Sequence, residues 1–136
     1  MKFKFIENLT SDVMFEAYGK DLKELFENSA IALFNVICKI SKVKTIKFVE
    51  VEIEGENIED LLINWLQELI ALVDIKEMFF SKFEILEISE KKLKAKVYGE
   101  KISPEKGETV VKAVTYHNFK LEKNKKGYTT RVVFDI

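Results

Sequence analysis

The chain has 136 residues, 47% of them apolar and 33% charged, with a net charge of −1, the balance of a folded protein whose length suits one domain over 1–136. It excludes an overall basic field for gripping nucleic acid, because 22 Lys and Arg are interleaved with 23 Asp and Glu. A single cysteine, Cys38, excludes an intrachain disulfide and fits a reducing compartment.

Residues 2–8 alternate, with Phe3 and Phe5 opposite Lys2 and Lys4, and read as a short strand. The polar Asn8-Leu9-Thr10-Ser11 reads as a turn. Residues 12–18 alternate again, with Val13, Phe15 and Ala17 facing away from Asp12, Met14, Glu16 and Tyr18. Asp21 followed by Glu24 resembles a capping box. Leu22, Leu25, Phe26, Ala30, Leu33, Phe34 and Ile37 then repeat at helical spacing, predicting a helix to about Cys38. Cys38 itself reads as a buried structural thiol.

Residues 44–54 read as a strand with a fault in its rhythm. Ile46 and Phe48 share one face, and Val49, Val51 and Ile53 the other, so a bulge near Phe48 is expected to turn both sets inward. Glu50, Glu52 and Glu54 read as a solvated face. Asn57 is a candidate N-cap for a second helix with the stripe Ile58, Leu61, Leu62, Trp65, Leu66, Leu69, Ile70 and Val73. Trp65 lies within that stripe and reads as core.

Phe79–Ile88 and Leu93–Tyr98 read as a hairpin closed by Ser89-Glu90-Lys91, followed by a loop over Gly99–Thr109. Val110–Glu122 reads as a strand, with Val111, Ala113, Thr115, His117, Phe119 and Leu121 on one face. That face is apolar except at Thr115 and His117, so both polar groups need hydrogen bonds or a use. A turn over Lys123–Gly127 and a last strand over Tyr128–Ile136 complete the chain. The expected class is α+β: two layers, with two helices packed on a mainly antiparallel β-sheet.

Lys112–Asn118 reads K-A-V-T-Y-H-N and resembles the signature of the archease family. Ser11-Asp12-Val13, Glu16-Ala17-Tyr18-Gly19, Trp65-Leu66-Gln67-Glu68-Leu69 and Asp135-Ile136 fall in that family's order and spacing. The resemblance covers nearly the whole chain. It implies the same two-layer fold and a protein partner of RtcB-type RNA ligases in tRNA splicing and RNA repair. In that role the protein accelerates guanylylation of the ligase histidine and supports multiple turnover, with no catalytic residues of its own. Partners are then the ligase and, through it, tRNA exon halves, with no strong autonomous nucleic-acid binding. Two other classes stay open: a stand-alone metal-dependent phosphohydrolase or nucleotidyl-transfer enzyme, and a general chaperone or interaction module.

Asp12 and Asp135 are the leading site candidates. Two carboxylates with the Ile136 terminal carboxylate would make an all-oxygen donor set, which suits Ca²⁺ or Mg²⁺ and is tolerated by Mn²⁺. The residues alone do not bring the aspartates together, and two unrelated surface carboxylates would look the same. The resemblance pairs them in one metal site, with Ca²⁺ the expected ion. Leu9 and Met14 depart from the family's pattern, standing where it commonly has His and Gly. His117, Lys112 and Glu100 are candidate site neighbours or ligase contacts, although each reads more often as an ordinary hydrogen-bonded or solvated side chain. A lone His and one distant Cys make structural zinc improbable. The basic Lys123–Lys126 turn is a weak sign of RNA contact. The opening MKFKFIENL is too short and charged for a secretory signal, and no apolar run approaches the roughly 20 residues that span a bilayer, so a cytoplasmic protein is expected.

Overall fold

The computed structural model describes residues 1–6 and 12–136. Among these residues seven strands and two α-helices follow in the order β1 (Phe3–Ile6), β2 (Asp12–Gly19), α1 (Leu22–Ile37), β3 (Lys47–Glu54), α2 (Ile58–Lys76), β4 (Met78–Ile88), β5 (Lys92–Lys101), β6 (Ala113–Asn124) and β7 (Gly127–Asp135). Every strand pairing is antiparallel. The class is α+β as expected, with the strands divided between two sheets. One has the order β1-β2-β7-β6 and the other β3-β5-β4. Both helices pack across the pair of sheets, α1 on β2 and β4, α2 on β6, β3 and β4.

Both helices begin where side-chain chemistry dictates. Asp21 Oδ1 accepts the Glu24 N–H at 2.9 Å, and Glu24 Oε1 accepts the Lys20 N–H at 3.1 Å. Asn57 Oδ1 accepts the Asp60 N–H at 2.8 Å. Trp65 is fully buried and donates its indole N–H to the Phe26 carbonyl at 3.0 Å, joining the helices. Its stripe packs with Phe15, Phe34, Phe80 and Phe134 into one apolar core.

Two strand readings need correction. The strand expected over 44–54 has no bulge at Phe48. β3 pairs with β5 in unbroken register, and Ile46 and Phe48 are exposed. Phe48 instead packs on Tyr98 with the Lys96 ammonium over its ring. The register shifts lie in β4, at Phe80/Lys82 and Ile85/Glu87. The expected loop at Gly99 is also strand, since β5 runs on to Lys101. Glycine is there because a Cβ would lie 1.8 Å from the Phe79 carbonyl oxygen. Close approach of two backbones, rather than a turn, explains it. The turn expected at Asn8–Ser11, with Leu9, lies outside the described residues.

Candidate functional site

Strand pairing brings the two candidate carboxylates together. In the β2–β7 register Asp12 is the direct partner of Asp135, and Val13 of Phe134. Val13 and Phe134 are buried in the core, so the aspartates stand on the opposite face. Directly opposed residues place their Cβ atoms about 4.5–5.5 Å apart. Both aspartates are half-buried, as is Ile136, which packs its side chain against the core.

The far side of Asp135 is fixed by β6. Ala113 is its register partner, and the Lys112 N–H donates to the Asp135 carbonyl at 2.8 Å. Lys112 therefore adjoins the carboxylate pair through its backbone while its side chain is exposed. One residue further, Gln67 Oε1 accepts the Val114 N–H at 3.1 Å, locking this end of β6 to α2. Gln67 and Trp65 thus anchor the sheet end and the core from one helix.

An ion-paired carboxylate on the same face lies apart from the aspartates. The same face carries Glu16, held by Arg131 at 2.9 Å and Lys4 at 3.7 Å. The Arg131 hydrogen bond keeps the Glu16 carboxyl below its ordinary range, against a smaller upward push from burial. Four residues of strand separate Glu16 from Asp12, roughly 14 Å of rise. That exceeds the Debye length of about 8 Å at physiological salt. Among the described residues neither Asp12 nor Asp135 takes part in an ion pair. Also among them, no group of three or more His, Cys, Asp or Glu side chains is gathered to hold a metal ion. The pair offers two carboxylate donors, and a full hard-cation shell needs further oxygens from the main chain, water or a partner.

His117 is placed differently from the sequence reading. It is exposed rather than set on a buried sheet face. The β6–β7 register passes from Thr115↔Val133 directly to Lys120↔Arg131, so four residues of β6 oppose one of β7. Asn118 within this bulge has φ +57°, a left-handed conformation that Asn tolerates better than most residues. The bulge explains the failure: strict alternation cannot be carried past Thr115. Tyr116, missed as a functional candidate, donates its hydroxyl to Asp60 Oδ1 at 3.0 Å and fastens the bulge to the start of α2. Its place between Thr115 and His117 in the signature was the available signal.

Glu100 lies in the other sheet. It accepts from Lys106 Nζ and from the Lys44 N–H, both at 2.6 Å, and these bonds hold its carboxyl below the usual range. It ties two loops together and is not a neighbour of Asp135 in either sheet.

The archease protein family model matches residues 3–136. The chain is similar to protein archease of Pyrococcus abyssi, at 50% identity over 119 residues and 84% of each chain. It is 44% identical to protein archease of Sulfurisphaera tokodaii over 139 residues and 99% of each chain. The fold is similar to the solution structure of Methanobacterium thermoautotrophicum protein 1598, with TM-score 0.81, 34% identity and 98% of each chain covered. A Thermotoga maritima crystal structure of an "archease, possible chaperone" shares the fold at TM-score 0.70 and 23% identity, with 96% and 95% of the chains covered. The chain belongs to the archease family.

Proposed function

We propose that this chain is an accessory activator of an RtcB-type RNA ligase, acting in tRNA splicing and RNA repair. It promotes guanylylation of the ligase histidine and repeated turnover while performing no chemistry alone. Family membership supports the reading, and the observation that carries it is the Asp12–Asp135 register pair. Two opposed carboxylates without ion-pair partners among the described residues are suited to a hard divalent cation, Ca²⁺ first, with Mg²⁺ or Mn²⁺ as alternatives. Asp12 and Asp135 would hold it. The ion would supply positive charge that offsets the pair.

The residues around the pair have separate tasks in this reading. Asp12 and Asp135 present negative oxygen to the ligase's nucleotide site. Lys112, next to them at the start of β6, and the exposed His117, further along β6 in the bulge, contact the ligase. Near-neutral net charge suits protein docking. The test is RNA ligation with the ligase limiting and GTP and Mn²⁺ present, with and without this protein. Product is expected to exceed one turnover only with the protein added. Turnover of RNA or nucleotide by this protein without ligase would instead favour the enzyme class.

A further inference from the structure

At the end of β2 and β7 remote from the aspartates, lysines from two separate segments surround one concavity. Lys20 and Lys23 come from the β2–α1 junction, and Lys123, Lys125 and Lys126 from the β6–β7 hairpin. The cleft has a volume of about 720 Å³, within the usual range of ligand sites. Asp21 is the acidic residue among its walls, and its Oδ1 is committed to the α1 cap. Glu24 nearby is likewise occupied, accepting the Lys20 N–H. Lys23 also feels the Glu27 carboxylate on its own helix. Among the described residues none of these five lysines forms an ion pair. This contrasts with β5, where Lys94 pairs with Glu52 and Lys96 stands between Glu50 and Glu84 in register. The near-neutral net charge of the chain thus includes one local cluster of five lysines.

We infer that this cleft binds the phosphate backbone of single-stranded RNA. The positive charge is concentrated where the β2–α1 junction meets the β6–β7 turn, close enough to neutralise several phosphates of one chain. Tyr128, half-buried against the core, lies in the wall with the Lys123 ammonium 5.7 Å from its ring centroid, which holds that cation at the cleft. The apolar wall is small, with Leu22 and Ile88 besides Tyr128. A protein partner would need larger buried anchors, so phosphate is the favoured ligand. The site goes beyond the ligase reading and stands without it. Its separation from Asp12–Asp135 is roughly 24 Å along the strand, so the two sites are open to different partners at once.

The test is fluorescence anisotropy of a labelled 12-nucleotide oligouridylate with the full chain and no ligase, from 25 to 200 mM salt. Saturable binding at low salt is expected. Each phosphate neutralised contributes about −0.7 to the slope of log K against log salt. Lys125→Glu with Lys126→Glu should weaken binding at least tenfold and flatten the slope. Lys20→Gln with Lys23→Gln, on the other wall, should also weaken it, which separates a site effect from a damaged hairpin. Lys92→Gln with Lys94→Gln should leave it unchanged. Absence of saturable binding by the wild type, equal loss from the β5 control, or no loss from either cleft pair overturns the assignment. Tighter capture of labelled polyglutamate than of RNA, with the same lysine dependence, overturns it in favour of an acidic protein. Failure of ligase stimulation alone leaves these outcomes untouched.

Discussion

Asp12 and Asp135 are direct partners in adjacent antiparallel strands, a position where opposite charges or apolar pairs are the stabilising choice. Like charges directly opposite one another in a ladder are destabilising. Asp135→Asn should therefore raise stability in chelator by about 0.2–1 kcal/mol, or up to about 4 °C in Tm for a chain of this size. Millimolar Ca²⁺ should raise the Tm of the wild type and leave the variant unmoved. Equal stabilisation of both proteins would place the ion elsewhere. Thermal scans with and without EDTA decide it.

The Glu16–Arg131 pair sets an acid limit on this sheet. The Arg131 hydrogen bond lowers the folded-state carboxyl below its ordinary 4.5, so the unfolded chain binds more protons in that range. Stability from this pair is fully present above the unfolded value and is lost as pH falls through the depressed folded one. Arg131→Gln should remove that component and make the urea midpoint less pH-dependent below about pH 5. An unchanged profile would show that other carboxyls control the acid transition.

The helices were legible because their caps and stripes are local. Asp21, Asn57 and the Trp65 stripe act within a few residues of where they stand. Asp12 and Asp135 were each visible, but their meeting depends on β2–β7 register, which no stretch of sequence states. His117 misled because period-two alternation was carried through a bulge that has no glycine to announce it. Ile46 and Phe48 misled because apolar side chains were assumed buried, whereas Phe48 lies on an open face against Tyr98 and Lys96. The five-lysine cleft required two junctions far apart in sequence, so only the hairpin half of it was visible.

Cys38 should be inert in the native protein. Burial first, then the Glu108 carboxylate, pushes its thiol up to about 12, and its S–H donates to the Phe34 carbonyl at 3.3 Å. Reaction with Ellman's reagent at pH 8 should be slow in buffer and fast in 6 M guanidinium. Rapid labelling without denaturant would mean that the end of α1 opens readily.

Tyr116→Phe removes the hydroxyl that fastens the β6 bulge to Asp60. Because Tyr116 is 60% exposed, the stability cost should stay under about 1 kcal/mol. Amide exchange should accelerate over 116–119 and leave the Trp65 core protected. Ligase stimulation should fall if the bulge is the docking element, and a variant with free bulge exchange and full stimulation would remove it from the interface.

In the proposed role the Asp12–Asp135 pair activates the ligase. The most direct measurement is the rate of GMP transfer from labelled GTP to the ligase histidine, with Mn²⁺ and no RNA. Wild-type protein and Asp135→Asn are compared at equal concentration, each untagged and with folding checked by circular dichroism. Acceleration is expected with the wild type, and at least a tenfold loss of that acceleration with the variant. Equal acceleration by the two folded proteins would contradict it.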